Sequence, residues 1–448
     1  MKRAWRWPFA GFVVGALVGA TILTVNVVGA SSPVRPPAAT GSFGEVLHTP
    51  VLLARAGEPV RLRYDFVCGV PRFEPAGGCS PSGSVFVRTV GRSEFTERPL
   101  RRDREGLLAA TIGAREAAGG FDYYARIANG RGQSAELPGG APDAPHHVWP
   151  IESWSTVDLG AARFKRTRAP ESVVASFPWG KGDRAAGLDS GPEQARIGPS
   201  AFDVAPDGSV VVLDQVNRRL AIVRPGSRPA HVPIAFEGGE GDLAVAPDGT
   251  IYVLDASGIP MLRSFTAGGY PIASTRLAEP TADMVRIGPN GPLVHAYPSE
   301  MWLPTGAAAP PLAPARQLVT AEPARRVGDD SVVVSATDEE AKLALVRGDR
   351  VAQAWAVRSA TNLGEVQLAE PFGDGLLVVV RVWTEKKAEF RVLRLTSAGL
   401  AESFAVDRAE WAESASLSRF RLHGSTLYQL RSTPSGTQIA TFEIGGKR

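Results

Sequence analysis

The sequence has few of the features that mark the common catalytic and nucleic-acid-binding classes. It contains no G-x-S-x-G, no C-x-x-C and no phosphate-binding glycine loop, so serine hydrolysis and phosphoryl transfer are not supported. Charge is nearly balanced, with a net of +3 over 448 residues, and no basic cluster is interleaved with aromatic residues. Nucleic acid is therefore not an expected partner.

Cysteine is almost absent. Cys68 and Cys79 are the only two, and glycines and prolines flank them. In an exported chain a lone pair this close predicts one disulfide that closes a surface loop, with a contribution of about 3 kcal/mol. A metal site would need histidines nearby, and the closest in sequence, His48, is 20 residues away.

The N-terminus has the pattern of a targeting segment. Lys2, Arg3 and Arg6 precede a stretch without charge, which is apolar from Phe9 to Val28. A basic start before an apolar run sends the following chain across the membrane. The length of the run favours a retained anchor, whereas the small residues near Ala30 favour cleavage. Residues 1–30 are thus predicted to be a signal peptide or a signal anchor, and the rest to be extracytoplasmic.

A phrase that occurs twice organises the chain. Residues 203–214 (DVAPDGSVVVLD) are repeated with few changes as residues 244–255 (AVAPDGTIYVLD), 41 residues apart. Proline ends a strand, Asp-Gly allows the positive φ of a tight turn, and the apolar run that follows suits a strand buried on both faces. A strand-turn-strand repeat of about 40 residues predicts the blades of a β-propeller.

Weaker copies of the same turn continue to the C-terminus. The turn positions are 207, 248, 290, 329, 374 and 423, which predict six blades in residues 171–448. Too few residues follow the last turn to complete a four-stranded blade. We therefore predict that residues 171–177 supply its missing strand and close the ring.

Ahead of the propeller, short alternating strands separated by glycine-rich turns occupy residues 44–137. Six such strands are predicted, at 51–54, 60–66, 84–88, 107–112, 121–127 and 133–137. They indicate a β-sandwich, and residues 119–132 resemble the late hairpin of bacterial immunoglobulin-like or fibronectin type III-like modules. Residues 31–43 and 138–170 are predicted linkers, and His146 and His147 are interpreted as linker residues.

The first predicted blade continues as D-Q-V-N-R-R-L-A-I-V from Asp214, which resembles the D-x-x-N-x-R signature of NHL-repeat propellers. The resemblance is good over residues 200–223 and partial over 241–265. In that family these residues are structural: the resemblance implies that Asn217 accepts the left-handed corner and that the arginine reaches carbonyls of the turn. It implies no catalytic role.

Carboxylates six or seven residues before three successive turns are the candidate metal ligands: Asp242, Asp283 and Glu322. Their placement resembles, faintly, the calcium-type centre of six-bladed lactonases of the gluconolactonase kind. Strand parity argues against convergence of all three, and no partner asparagine is evident. His231, His295 and His423 occupy unlike blade positions, which does not support a histidine-rich zinc centre.

Taken together, the sequence predicts an all-β chain: an N-terminal membrane or signal helix, a β-sandwich and a six-bladed propeller. We expect a monomeric, exported or membrane-tethered protein of the cell envelope, without a cofactor, that binds a protein, peptide or glycan. The alternative is a divalent-cation-dependent hydrolase or lyase, lactonase-like, with its site at the propeller channel. A purely structural envelope component is the third.

Overall fold

The computed structural model describes residues 45–67, 80–130, 134–138, 141–143, 145–164, 166–192, 194–236, 241–288, 290–296, 301–306, 330–348, 350–412 and 419–446. The predicted segment 1–30, the linker 31–43, the pair Cys68 and Cys79, and Glu322 lie outside these ranges. Within the ranges, no helix has the length and apolar character needed to cross a membrane.

The described chain is almost entirely β-structure, with one short helix, α1 (Ala114–Ala117). Its first ten strands are β1 (Glu45–Leu47), β2 (Leu53–Arg55), β3 (Val60–Val67), β4 (Ser82–Thr89), β5 (Thr96–Pro99), β6 (Arg101–Arg102), β7 (Leu108–Ile112), β8 (Phe121–Ala128), β9 (Ser134–Leu137) and β10 (His146–Ile151). The six strands predicted here agree with observed strands to within two residues at each end.

These strands form two sheets that share one hydrophobic core. The first has the order β1-β3-β7-β6, and the second has the order β2-β10-β8-β4-β5 with β9 added beside β8. Leu62 and Tyr64 of the first sheet pack in one cluster with Val85, Phe121 and Ile127 of the second. The alternation of apolar and polar residues along β3 explains why one face of that strand is buried.

A buried histidine lies at the edge of this core. His48 is 1% exposed and stacks on Tyr64 at a centroid distance of 4.1 Å. Its Nδ1 lies 2.7 Å from the Arg63 carbonyl oxygen, and its Nε2 lies 3.1 Å from the Tyr123 hydroxyl. Burial disfavours the imidazolium, and the pKa of His48 is lowered from 6.5 to about 4.

This histidine makes the stability of the chain depend on pH. Between its unfolded pKa of 6.5 and its folded pKa of about 4, the unfolded chain binds a proton that the folded chain does not. The free energy of unfolding therefore falls as pH drops through this window, by about 3 kcal/mol from this group. The free energy of unfolding of the native chain should fall between pH 7 and pH 4. We expect this fall to be smaller by about 3 kcal/mol in His48→Gln, as measured by urea denaturation. Equal decreases in both chains would contradict the assignment.

The remaining strands build a second set of sheets. They are β11 (Ser155–Asp158), β12 (Ser172–Pro178), β13 (Ala201–Val204), β14 (Val210–Asp214), β15 (Arg219–Val223), β16 (Ala230–Pro233), β17 (Gly241–Val245), β18 (Ile251–Asp255), β19 (Met261–Phe265), β20 (Pro271–Arg276), β21 (Ala282–Gly288), β22 (Gly291–Ala296), β23 (Met301–Pro304), β24 (Asp330–Ala336), β25 (Glu340–Arg347), β26 (Arg350–Arg358), β27 (Asn362–Phe372), β28 (Gly375–Trp383), β29 (Ala388–Thr396), β30 (Gly399–Val406), β31 (Phe420–His423), β32 (Thr426–Thr433) and β33 (Gly436–Glu443).

Six sheets result among the described residues, and we number them as blades. Blade 1 is β13–β16, blade 2 is β17–β20, blade 3 is β21–β23, blade 4 is β24–β26 with β11, blade 5 is β27–β30, and blade 6 is β31–β33 with β12. Hydrophobic clusters join blade 1 to 2, 2 to 3, 4 to 5, 5 to 6 and 6 back to 1. Sheets that pack face to face around a ring are the arrangement of a β-propeller.

The predicted pairing of residues 171–177 with the last blade is confirmed. β12 pairs antiparallel with β33, with Ser172 opposite Thr441 and Phe177 opposite Thr437. Phe177 is 3% exposed and packs in the cluster between blades 6 and 1. The segment before the first blade therefore completes the last one, which leaves no unpaired edge at this point.

Two other features of this region differ from the sequence interpretation. The predicted linker 138–170 contains β10 and β11, and β11 pairs parallel with β26 as the outer strand of blade 4. The fourth predicted turn is displaced: the valine run after it is β24, whose hairpin to β25 lies at residues 337–339. That hairpin is closed by a hydrogen bond from the Thr337 N–H to the Glu340 carbonyl oxygen (2.8 Å) and has no Asp-Gly to reveal it.

The chain between the two sets of sheets runs along the outside of three blades. We call residues 155–178 the belt. Its β11 lies on blade 4 and its β12 on blade 6, and between them the Arg168 N–H bonds the Ala405 carbonyl oxygen of blade 5. Just before the belt, Leu53 of β2 and Ile151 of β10 pack with Ala344 and Ala354 of blade 4.

Candidate functional site

We call the side of the ring on which the innermost strands β13, β17, β21, β24, β27 and β31 begin the entrance face. Buried carboxylates on the innermost strands hold neighbouring blades together. Asp203 of blade 1 accepts a hydrogen bond from the Val245 N–H of blade 2 (2.9 Å) and pairs with Arg421 of blade 6 (3.2 Å). Both side chains of this ion pair are less than a tenth exposed. One carboxylate therefore connects three blades.

Asp242 and Asp283, two of the predicted metal ligands, have separate partners. The Asp242 carboxylate is 1% exposed and pairs with Arg286 of the next blade at 2.7 Å. Asp283 instead accepts a hydrogen bond from His295 Nδ1 at 2.6 Å. Among the residues that the structure describes, no three metal-ligating side chains converge. Because Glu322 is outside them, the three-carboxylate site stays a prediction.

The pair of Asp283 and His295 is a feature that the sequence interpretation missed. His295 lies on β22 opposite Met284, and its ring is 5.2 Å from that of Trp302. Asp283 reaches it because the register of β21 shifts between Ala282 and Met284. A carboxylate on Nδ1 fixes the tautomer and orientation of an imidazole, which is how proteins position a histidine for proton transfer. Such an irregularity in the strand leaves no mark in the sequence.

The NHL-like corner of blade 1 is a structural network. The Asp214 carboxylate accepts hydrogen bonds from Asn217 (2.9 Å) and Arg219 (3.0 Å), and Arg219 donates to carbonyls of residues 180–187. The left-handed residue is Arg218, with φ 54°, and not Asn217 as expected. Asn217 uses its amide to hold the Gly180 carbonyl oxygen. The corner thus fixes a loop of the entrance face.

A shallow depression of about 420 Å³ lies beside this loop. It is lined by residues 190–192 and 194–196 together with Trp411. Residues 190–196 lead into β13 and Trp411 leads towards β31, so the depression belongs to the entrance face. Its lining combines the Trp411 ring, the Arg196 side chain and the polar residues Ser190 and Gln194.

Packing and hydrogen bonds hold Trp411 in place. Its ring stacks on that of Trp179 at 5.8 Å, and the Trp179 indole N–H donates to the Thr433 carbonyl oxygen at 2.9 Å. The backbone beside it is bonded to Ser432. The exposed guanidinium of Arg196 lies over the Trp411 ring at 4.6 Å from its centre. A ligand in the depression therefore meets a guanidinium group that is already positioned by a cation–π contact.

Comparison with known proteins identifies no family for this chain. No protein-family model matches the chain, and no curated protein has a matching sequence. Similar solved structures are β-propeller proteins. One is virginiamycin B lyase from Staphylococcus aureus, with 10% identity, a TM-score of 0.36, and coverage of 55% of this chain and 95% of the lyase.

Two further structures give the same result. A protein of unknown function from Bacteroides thetaiotaomicron has 11% identity and a TM-score of 0.37, and the alignment covers 88% of this chain and 97% of that protein. The Dos1 propeller has 10% identity and a TM-score of 0.31, with coverage of 58% and 82%. Likeness at this level carries no argument about activity.

Proposed function

We propose that this chain is an exported or membrane-tethered β-propeller protein of the cell envelope that binds a protein, peptide or glycan at its entrance face. The observation that carries the proposal is the depression at Trp411, where a fixed aromatic ring lies behind an exposed arginine. Tryptophan and arginine are the side chains that most often dominate binding energy at interfaces. A site that is already ordered also loses little conformational entropy on binding.

The remaining regions have accompanying roles in this proposal. The basic and apolar residues 1–30 direct export or anchor the chain in the membrane, and residues 31–43 act as a spacer. The two sheets of residues 45–151 act as an immunoglobulin-like or fibronectin type III-like sandwich, a spacer or second recognition module. The ring is a complete six-bladed propeller of the NHL-repeat kind. The chain acts as a monomer.

Removing the aromatic ring tests the proposal. Purified chain is applied to arrays of envelope peptides and glycans, and any saturable binding is measured for the native chain and for Trp411→Ala. We expect the substitution to weaken binding at least about tenfold, or about 1.4 kcal/mol, because it removes both the ring and the support for Arg196.

The matched control is Tyr270→Ala. Tyr270 is an aromatic residue that is 75% exposed beside β20 of blade 2, far along the chain from the depression. Equal weakening by both substitutions, or unchanged binding by Trp411→Ala, would contradict the assigned surface. Turnover of a lactone or an ester that is lost on addition of a chelator would instead support the cation-dependent hydrolase or lyase.

A further inference from the structure

The entrance face of blades 5 and 6 carries an excess of arginine around one glutamate. Glu410 pairs with Arg408 through one carboxylate oxygen and with Arg419 through the other, the latter at 3.0 Å. Arg381 of β28 is paired with Phe390 of β29, and the Arg419 guanidinium lies 5.9 Å from the centre of the Phe390 ring, so the two arginines belong to one cluster. Glu365 acts on the pKa of Arg419 in the same direction as Glu410. Two guanidinium groups thus share the Glu410 carboxylate, and the Arg431 guanidinium pairs separately with Asp407 at 3.5 Å.

Arg419 is largely withdrawn from water. Its side chain is 12% exposed. Burial is the main cause that lowers its pKa, with Glu410 acting in the opposite direction and Arg408 and Arg381 adding to the decrease. A buried guanidinium that shares its carboxylate with a second arginine is only partly neutralised. Another negative charge would be stabilised at this place.

Arg381 has unused donors at the same place. Its Nε is buried and has no hydrogen-bond partner, and none of its nitrogen atoms pairs with a carboxylate in the part of the chain that the structure describes. The stem of the Arg381 side chain lies against Gly364 of the innermost strand β27. Its Cβ and Cδ atoms are 3.3 Å from the point where a Cβ atom on that glycine would lie. A buried donor without a partner destabilises the folded chain, and an acceptor at this place would offset that loss.

The loop 407–412 connects this cluster to the depression. It carries Glu410, which holds Arg408 and Arg419, and next to it Trp411, which lies under Arg196. Arg196 is exposed, and within the described residues no carboxylate pairs with it. One short segment therefore contacts two sets of guanidinium groups, Arg408 and Arg419 through Glu410 and Arg196 through Trp411.

We propose that this surface binds a carboxylate-rich ligand, namely an acidic peptide segment of a partner protein. The proposal rests on the proposed function and names its ligand class. Guanidinium groups bind carboxylates through paired, charge-assisted hydrogen bonds. Ser190 and Gln194 in the lining of the depression add neutral donors and acceptors of the kind that pair with a peptide backbone. Uronic-acid glycans present the same charge on a different scaffold, and the test separates the two.

The probe is a fluorescein-labelled oligoglutamate peptide, and binding to the full chain is followed by fluorescence anisotropy. We expect saturable binding at low salt that weakens at least about tenfold in Arg381→Gln and in Arg196→Gln, and that falls steeply with added salt. Arg276→Gln is the matched control because Arg276 is an exposed arginine at the end of β20 in blade 2. It removes the same charge and should leave binding unchanged. Thermal denaturation of each variant checks that Arg381→Gln folds, and Arg196→Gln, at an exposed position, tests the site independently.

Each result has one meaning. Equal binding by the native chain and by both site variants overturns the proposal, as does binding of oligogalacturonate without binding of oligoglutamate. If oligoglutamate fails while a neutral ligand from the envelope arrays binds in a Trp411-dependent way, this ligand class is wrong and the proposed function stands. If no probe binds at the entrance face, both are wrong.

Discussion

Replacing Asp203 by alanine is expected to lower the free energy of unfolding by about 3–5 kcal/mol. The carboxylate is buried, pairs with Arg421 of blade 6 and accepts the N–H of Val245 in blade 2. Its removal leaves a guanidinium and a backbone donor without this partner inside the ring, and an uncompensated buried charge is among the most damaging defects in a core. Urea denaturation followed by tryptophan fluorescence measures the effect.

Two further variants show where the loss comes from. Asp203→Asn keeps an acceptor for the Val245 N–H and should cost less than alanine, because only the charge is removed. Asp374→Ala removes an exposed carboxylate in the hairpin between β27 and β28, and should change stability by less than about 0.5 kcal/mol. A loss for Asp203→Ala no greater than that for Asp374→Ala would show that the carboxylate does not join the blades.

Phe177→Ala is expected to destabilise the chain by about 3–5 kcal/mol. Phe177 is buried in the cluster between blades 6 and 1, although it belongs to the belt and precedes the first blade in sequence. Its removal leaves a cavity at the seam where the ring closes. The matched control is Val173→Ala, on the same strand but 44% exposed, for which a loss below about 1 kcal/mol is expected.

The two variants should also differ in local opening. Hydrogen exchange of β33 is expected to accelerate in Phe177→Ala, because β12 covers β33 and holds its backbone hydrogen bonds. Equal exchange of β33 in Phe177→Ala and Val173→Ala would refute the role of β12 in closing the ring. Equal loss of stability in both would refute the contribution of the buried phenyl ring.

The repeated turn made much of the ring predictable, because a local interaction determines it. At positions 207 and 248 the Asp carboxylate accepts the N–H two residues later, and the following glycine has φ 79° or 84°. These features follow from the identity of two adjacent residues. The turn of blade 4 has no glycine. The sequence therefore predicts the valine run of β24 as the second strand of this blade, after a turn at position 329, whereas it is the first.

The candidate site was less predictable, because its contacts join residues far apart in sequence. The sequence predicts Asp242 as a metal ligand at the channel. In the structure it pairs with Arg286, which is on the next blade. Asp283 meets His295 only because β21 changes register. Trp411 and Arg196 come from loops of different blades and meet when the ring has closed. No period or spacing in the chain encodes such pairs.

The belt has a consequence for the order in which the chain can fold. The hydroxyl groups of Ser172 and Thr441 are in contact across 269 residues of sequence, and Ala162 meets Thr361 across 199. A chain made from its N-terminus exposes β11 and β12 long before β26 and β33 exist, whereas the hairpins of blades 1 and 2 need only neighbouring residues. Contacts between distant residues form slowly, and unpaired strand edges invite aggregation in the interval. The ring is therefore expected to reach its native state only after the last strand has been released from the ribosome, with the early strands requiring protection until then.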